Sequence, residues 1–252
     1  MNPVLSAIGQ KLARYLSKPR PFYGAGQPTP PDLLMKTLRP GDVILVEGNT
    51  RISTAIKYLT QSTWSHAALY VGGLGTGRLQ DEAHCIVEAD VVHGVRSVAL
   101  AQFDELPTRI CRPVGLNERE CAAVCDFAIS RLGHRYDLKN VFDLARYFLP
   151  TPPVPTRFRR RMISLGSGDP TRAICSTLIA EAFQAIGYPI LPQIGNEPEP
   201  TEECPDCMRE IWRIRHHSLY APRDFDVSPY FSVVKPTIAE GFDFHAIEWA
   251  EL

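Results

Sequence analysis

The chain has 252 residues, 44% of them hydrophobic and 22% charged, and a formal net charge of −1. This composition is ordinary for a globular protein with one substantial core, and the bulk charge gives no reason to expect a nucleic-acid partner. No apolar run approaches the roughly 18 residues that a membrane span requires, and the start of the chain lacks the apolar core of a secretory signal, so a cytoplasmic location is expected. The seven cysteines, an odd number, favour reduced thiols.

Residues 1–37 are predicted to form an amphipathic helix and a linker. A helix over residues 2–18 would place its apolar side chains on one side, and these are Val4, Leu5, Ile8, Leu12 and Leu16. Such a helix either packs on its own domain or makes peripheral contact with an anionic membrane surface through residues 1–18, and the sequence leaves both open. Residues 19–31, rich in proline, are expected to be an irregular linker.

The folded domain is predicted to span residues 38–252. It begins with a Pro-Gly turn that leads into an apolar strand over residues 43–46. A helix follows, with Asn49 or Thr50 as its N-terminal cap.

A β-rich stretch over residues 64–73 closes on a double glycine and carries a histidine near its start. On a strand, His66, Ala68 and Tyr70 share one face. Because the alanine is small, the pattern leaves room for another group to approach His66.

Two further strands and a helix are predicted next. The strands cover residues 85–90, which place Glu88 between apolar neighbours, and residues 109–114. Asn117, with Glu120 three residues later, indicates the capping box of a helix.

The middle of the chain carries a basic segment. A loop with Tyr136 and a short helix over residues 141–148 precede a proline- and glycine-rich segment, 151–172, that contains Arg157 and the run 159–161. This basic loop is most simply a solvated one, and binding to phosphate or to an anionic lipid surface is the alternative.

The clearest helix is predicted to begin at Cys175 and to end at Gly187. Its apolar residues recur at three- and four-residue spacing, and they are Leu178, Ile179, Ala182, Phe183 and Ile186. A thiol in the first turn lies at the positive end of the helix dipole, where unpaired backbone N–H groups stabilise a thiolate and also bind an oxyanion. Cys175 is therefore a candidate nucleophile.

Such a thiol needs a base, since a free cysteine with a pKa of about 8.5 is mostly protonated at pH 7. His66 is the candidate base. Glu88 is the candidate group that fixes its tautomer, with Asp90 as the nearest rival. Each residue also has an ordinary structural interpretation: a small core cysteine, a half-buried histidine, and a carboxylate that caps a helix or pairs with an arginine.

Four strings in this chain resemble, in this order, the circularly permuted papain-like enzymes of the YaeF/YiiX family: residues 40–44, 65–72, 87–89 and 175–179. These enzymes are related to the NlpC-type cell-wall peptidases. In unpermuted papain-like enzymes the nucleophile precedes its histidine, whereas here His66 precedes Cys175, as in the permuted branch. The resemblance covers roughly residues 38–187, with weaker similarity at 223–225.

The resemblance implies an α+β fold, a circularly permuted papain-like (NlpC-type) fold with an antiparallel sheet packed against the helix that carries the nucleophilic cysteine. It also implies acyl transfer through a thioester: Cys175 attacks the carbonyl carbon, His66 takes the thiol proton and Glu88 orients the imidazole. No cofactor is implied.

Tyr136, Tyr70 and Ser176 are the candidate substrate contacts. The expected substrate is a small peptide, an N-acyl amide or a lipid-like molecule. A cysteine amidase or peptidase is the first hypothesis. The alternatives are a thiol acyltransferase or lipid hydrolase at a membrane surface, and a non-catalytic binding protein on the same fold.

Residues 189–252 are expected to be an irregular extension with one strand over 231–235. Within it, Cys204 and Cys207, followed by the histidine pair 216–217, suggest a zinc site. The short spacing between the cysteines and the histidines favours two free thiols or a local disulfide instead, so no metal is expected.

Overall fold

The structure is a computed structural model, and it describes residues 15–19, 26–75, 84–90, 92–134, 174–200, 204, 206–239, 241 and 243–246. Four predicted features lie outside the described residues: most of the helix over 2–18, the loop with Tyr136, the helix over 141–148 and the basic loop over 151–172.

The described strands form one large antiparallel sheet and a separate hairpin. In chain order they are β1 (Val43–Val46), β2 (His66–Tyr70), β3 (His84–Asp90), β4 (Gly94–Ala99), β5 (Thr108–Pro113), β6 (Gln193–Pro198), β7 (Met208–Arg213) and β8 (Phe231–Val234). Six of them pair in the order β4-β3-β2-β1-β5-β8, each with antiparallel neighbours, and β6 pairs with β7. The α+β class and the antiparallel sheet are as predicted.

The described α-helices are α1 (Pro31–Thr37), α2 (Arg51–Thr60), α3 (Glu118–Ser130), α4 (Ile174–Ala185), α5 (Pro222–Asp226) and α6 (Pro236–Ala239). Thr50 caps α2, because its side chain accepts a hydrogen bond from the Ser53 amide. The capping box predicted for α3 is present: Asn117 and Glu120 each accept a hydrogen bond from the other residue's amide.

The large sheet buries both faces. Its α4 face packs on α3 and α4, and its buried strand residues include Val43, Leu45, Ala67, Leu69 and Val87. Its α1 face packs on α1 and on a 3-10 turn over Leu100–Phe103, and its buried strand residues include Ile44, Val46, Ala68, Ile86 and Ile110. Successive residues alternate between the two clusters, as the two-residue period of a strand requires.

Helix α4 is the most deeply buried helix described. Leu178 and Ile179 are each 1% exposed and Phe183 is fully buried, which stabilises the fold by about 1.5–3 kcal/mol for each side chain. The Phe183 ring meets Phe231 of β8 edge to face, with centroids 5.1 Å apart. The predicted apolar stripe is therefore confirmed, and its contacts fix the helix that carries Cys175 on the sheet.

The prediction that residues 189–252 are mostly irregular is wrong. The segment forms the hairpin β6–β7, helix α5 and strand β8, which completes the large sheet beside β5. The hairpin has no sequence signal because β6 contains glycine, asparagine and proline and neither of its faces is buried, so apolar and polar residues do not alternate. The predicted strand at Phe231 is confirmed.

Residues 15–19, the end of the predicted amphipathic helix, pack on the domain. Leu16 is fully buried, and the guanidinium carbon of Arg51 lies 4.1 Å from the centre of the Tyr15 ring. For these residues the structure agrees with packing on the chain's own domain. Within the described part of the chain, no helix has the length and apolarity needed to cross a membrane.

Candidate active site

Cys175 is the second residue of α4, in the first turn of the helix, as the sequence predicts. Its side chain is buried, at 5% exposure. Burial opposes ionisation of the thiol, but the charge and hydrogen bond of His66, a hydrogen bond from the Ala67 backbone and one from Ser176 outweigh it and lower the pKa of Cys175. The thiol is therefore set up to ionise more readily than a free cysteine.

The backbone amide of Ala67 reaches the sulfur because the pairing of β2 with β3 stops short of it. The described register joins Ala68 to Glu88 and continues to Tyr70. In an antiparallel strand alternate amides point to the same side, and the Val71 amide donates to the carbonyl of Cys85 in β3. The Ala67 amide points the same way but has no β3 partner in the register. Helix α4 supplies the acceptor, Cys175, at this place.

His66, the first residue of β2, lies between Cys175 and Glu88. Its Nε2 is 2.7 Å from Oε2 of Glu88, which leaves Nδ1 for the thiol of Cys175. Burial of the ring opposes its protonation, but the charge and hydrogen bond of Cys175, followed by those of Glu88, raise the pKa of His66 well above its ordinary value. Cys175 and His66 thus favour the thiolate–imidazolium pair.

Glu88 is 2% exposed and has a separate set of partners for each carboxylate oxygen. Oε2 faces His66, while Oε1 accepts hydrogen bonds from Arg96 Nε at 2.9 Å and from Gln102 Nε2 at 3.1 Å. Arg96 Nη2 lies 2.7 Å from the same oxygen as an ion-pair contact. Burial alone would raise the pKa of Glu88, but His66, Arg96 and Gln102 lower it to about 2. Glu88 is therefore an anion throughout the physiological range.

On the β1 side of β2, the loop that follows β1 holds the start of β2. The Ser65 hydroxyl accepts a hydrogen bond from the Gly48 amide at 2.9 Å. A Cβ at Gly48 would collide with the Ser53 hydroxyl and lie 3.0 Å from that of Ser65. Only glycine fits this close approach without a shift, so the residue that immediately precedes His66 is fixed to the loop after β1.

Helix α5 fixes the connection that leads into β2, and we call its contacts the α5 clamp. Asp226 accepts from the Trp64 indole at 3.0 Å and from Arg109 at 2.6 Å. Arg223 donates to the carbonyl of Thr60 at 2.6 Å. Because Trp64 is two residues before His66, the clamp links the C-terminal part of the chain to the position of the imidazole.

The structure brings Cys175, His66 and Glu88 together and separates Asp90 and Tyr70 from them. Asp90 instead accepts from the amides of residues 92 and 93 in the turn after β3. Tyr70 stands at the far end of β2, four residues from His66 or about 13 Å along the strand, and its hydroxyl contacts Met35.

The two remaining candidate substrate contacts are Ser176, which the structure describes, and Tyr136, which it does not. Ser176 is fully buried, with its hydroxyl 4.0 Å from the sulfur of Cys175. It is therefore placed beside the thiol, not on an exposed surface. Tyr136 lies outside the described residues.

The cysteines of the suggested zinc site are bonded to each other. Cys204 and Cys207 form a disulfide, which was one of the two alternatives to zinc and departs from the expectation of reduced thiols throughout. His216 contacts the hydroxyl of Ser218, and His217 lies 3.1 Å from a carboxylate oxygen of Glu181. In the described part of the chain, no group of three or more histidine, cysteine or acidic side chains is arranged to hold a metal ion.

Sequence reasoning missed Arg96, Gln102 and Asp226. Arg96 is directly opposite Glu88 in the β3–β4 register, and an arginine two residues after a glycine turn was the available signal. Gln102 and Asp226 carry no local signal, because the contacts that make them important join distant parts of the chain.

Comparison with known proteins supports the resemblance stated from the sequence. Residues 37–148 match the family model described as "Permuted papain-like amidase enzyme, YaeF/YiiX, C92 family". The match includes His66 and Glu88, covers somewhat less than half of the chain and ends before Cys175. The resemblance to this family is therefore confirmed, and it supports the class of papain-like amidase enzymes.

Among solved structures, the chain is similar to the crystal structure of the metalloprotein YiiX from Escherichia coli O157:H7. The two share 16% identity over 78% of this chain and 96% of that one, with a TM-score of 0.43. No curated protein matches the chain significantly.

Proposed function

We propose that the chain is a cysteine-dependent hydrolase of amide bonds in which Cys175 is the nucleophile, His66 the general base and acid, and Glu88 the group that orients the imidazole. The observation that carries the proposal is the position of His66, bonded to Glu88 through Nε2 and to the Cys175 thiol on its other side. An imidazole held between a thiol and a carboxylate is the arrangement that activates a cysteine for attack on a carbonyl.

The first half of the reaction forms a thioester. His66 takes the proton of Cys175, and the sulfur attacks the carbonyl carbon of the amide. The oxyanion that develops is stabilised by backbone N–H groups in the first turn of α4, including that of Cys175. The C–N bond then breaks, and the imidazolium gives its proton to the leaving amine.

The second half releases the acid. His66 takes a proton from water, the resulting hydroxide equivalent attacks the thioester carbon, and the C–S bond breaks to return the thiolate and the imidazolium. Glu88 remains ionised throughout, since its pKa of about 2 is far below that of the imidazolium it supports. Small peptides and N-acyl amides are the substrates we propose, in the cytoplasm.

The thiol acyltransferase or lipid hydrolase uses the same thioester and differs in substrate or acceptor. The segments that favour it are residues 1–18 and the basic loop 151–172, and of these only residues 15–18 lie within the described part of the chain. Transfer of an acyl group to an added amine or alcohol in place of water would distinguish the transferase. Loss of liposome binding on deletion of residues 1–18 would support action at a membrane surface.

Turnover of a panel of fluorogenic peptide and N-acyl amides tests the proposal. We expect Cys175→Ala to lower kcat by about 10³-fold or more, and acid-quenched wild type to carry an acyl adduct on Cys175 in the mass spectrum. The matched control is Cys121→Ser, since burial raises the pKa of this half-buried thiol, and it should stay within about twofold of wild type.

Two results would contradict the proposal. Activity that survives Cys175→Ala excludes this cysteine as the nucleophile. If no amide in the panel is hydrolysed and no acyl adduct forms on any cysteine of the folded protein, the non-catalytic binding protein replaces the enzyme.

A further inference from the structure

The carboxylate of Glu88 is held from behind by two side chains that touch neither Cys175 nor His66 in the described contacts. Arg96 extends from β4 directly opposite Glu88, and Gln102 extends from the 3-10 turn over Leu100–Phe103. Together they direct two hydrogen bonds and an ion-pair contact at a single oxygen, Oε1. The other oxygen is left to His66.

Arg96 also fixes which end of the Gln102 amide faces Glu88. Its Nη2 lies 3.3 Å from the Gln102 carbonyl oxygen, so the NH₂ group of Gln102 points towards Glu88. Glu88 is 2% exposed, and a buried polar atom that loses its hydrogen-bond partner destabilises the fold. The position of Oε1 therefore suits a hydrogen-bond acceptor, and a donor placed there would face the N–H groups of Arg96 and Gln102.

An amide at position 88 could place either its carbonyl or its NH₂ group towards His66, and the surrounding donors decide which. A glutamine has one acceptor and one donor at its tip, whereas an ionised glutamate has acceptors at both. Facing the N–H donors of Arg96 and Gln102, the glutamine would turn its carbonyl to them and its NH₂ to Nε2 of His66. An NH₂ group there requires an unprotonated Nε2, so neutral His66 would carry its proton on Nδ1, and Nδ1 could no longer accept the thiol proton.

We propose that Arg96 and Gln102 are positioning residues that act through Glu88: they restrict position 88 to a carboxylate and thereby keep the proton of neutral His66 on Nε2, with Nδ1 open to the thiol. For its catalytic consequence this inference rests on the proposed function. Its effect on the imidazole is a property of the folded chain and is measurable without a substrate.

The location of the proton is read directly from ¹⁵N spectra of protein labelled on histidine, since the two tautomers of neutral imidazole have distinct nitrogen shifts. The measurement uses Cys175→Ser, which removes the thiolate that stabilises the imidazolium, at a pH above the titration of His66. His66→Gln in the same background identifies the signal. We expect a proton on Nε2 in Cys175→Ser and on Nδ1 when Glu88→Gln is added.

Removing Arg96 should reverse the effect. In the combination of Glu88→Gln with Arg96→Met, Gln102 is released to present its carbonyl to the new NH₂ group, so we expect the proton to return to Nε2. Arg119→Met, at an exposed arginine on α3 that makes none of the contacts to Glu88, is the matched control and should leave the proton on Nδ1 when combined with Glu88→Gln. Melting temperatures establish that each variant is folded.

Turnover supplies the second measurement, in chains that retain Cys175. The wrong tautomer should cost Glu88→Gln about 10²- to 10⁴-fold in kcat, with a smaller change in KM. Glu88→Gln with Arg96→Met should recover at least about tenfold over Glu88→Gln alone, although Arg96→Met alone lowers kcat. A loss that reflected general damage would instead grow when the second substitution is added.

The inference is overturned if Glu88→Gln leaves the proton on Nε2, or if a folded double variant keeps it on Nδ1. The Glu88→Gln spectrum alone decides the matter if the double variant does not fold. If the spectra behave as expected and no amide is hydrolysed, the proposed function fails while the assignment of Arg96 and Gln102 stands.

Discussion

His66 and Glu88 are bonded across neighbouring strands although they do not face each other in the register. The residue of β2 that pairs with Glu88 is Ala68, and His66 lies two residues before it. Nevertheless, Nε2 of His66 and Oε2 of Glu88 are 2.7 Å apart. Diagonal neighbours on a sheet are within reach of long side chains. On the other side of Glu88, Arg96 occupies the directly opposite position on β4. His66 of β2 therefore contacts Oε2 of the carboxylate, and Arg96 of β4 contacts Oε1.

The thiolate–imidazolium pair predicts a bell-shaped dependence of kcat/KM on pH. Activity should rise through the pKa of Cys175, which His66 lowers, and fall at higher pH through the pKa of His66, which Cys175 and Glu88 raise. Glu88→Ala should move the alkaline limb to lower pH because the imidazolium loses its carboxylate. A single rising limb near the pKa of a free thiol, unmoved by Glu88→Ala, would contradict this assignment.

Glu88 should also make stability depend on pH in acid. Its pKa is about 2 in the folded chain against an ordinary value of 4.5, so its contribution is present above about pH 4.5 and is lost as the pH falls through 2. A shift of this size corresponds to about 3 kcal/mol. Urea unfolding of wild type and Glu88→Gln at pH 7, 4 and 3 should show a steeper loss for the wild type. Parallel pH dependences would exclude this role for Glu88.

The α5 clamp predicts that a substitution at Trp64 is felt at His66. Trp64→Phe keeps an aromatic side chain, although a smaller one, and removes the N–H that donates to Asp226. We expect it to reduce the free energy of unfolding by about 1–3 kcal/mol and to lower kcat. Trp212→Phe is the matched control, because this indole also donates to a carboxylate but is 54% exposed. Equal effects of the two substitutions would show that the clamp has no special role.

Strand β8 should be an integral part of the fold. Phe231 is 5% exposed and packs on Phe183 of α4, so Phe231→Ala should destabilise the chain by about 3–5 kcal/mol. Val233→Ala on the same strand, where the side chain is 38% exposed, should change stability by less than about 1 kcal/mol. Denaturant unfolding measures both, and a small effect of Phe231→Ala would mean that residues 189–252 are a dispensable extension.

The parts of the site that the sequence predicts are those with a local signal. The three- and four-residue spacing of apolar side chains placed Cys175 in the first turn of a buried helix, and a capping box and β-rich runs placed the helices and strands around it. That Glu88, and not Asp90, bonds to His66 could not be predicted, because the bond runs diagonally between β2 and β3 and Asp90 instead accepts from the amides of the turn after β3.

What the sequence could not predict depends on pairs of residues far apart in the chain. The bond between Trp64 and Asp226 spans 162 residues, and that between Arg109 and Asp226 spans 117. The sequence around Asp226 has no pattern that indicates Trp64 or Arg109 as its partner, and the sequence around Trp64 has none that indicates Asp226. The hairpin β6–β7 was missed for a different reason, since a strand that buries neither face has no hydrophobic period to detect.

The central claim, that His66 activates Cys175, is tested most directly by the rate at which iodoacetamide alkylates each free cysteine as a function of pH, followed by peptide mass spectrometry. Cys175 should react with an apparent pKa well below the ordinary value of a thiol, and His66→Ala should remove this advantage. Cys121, whose pKa burial raises, should react only at alkaline pH in both proteins. A Cys175 that titrates like Cys121, or that is unaffected by His66→Ala, would contradict the account.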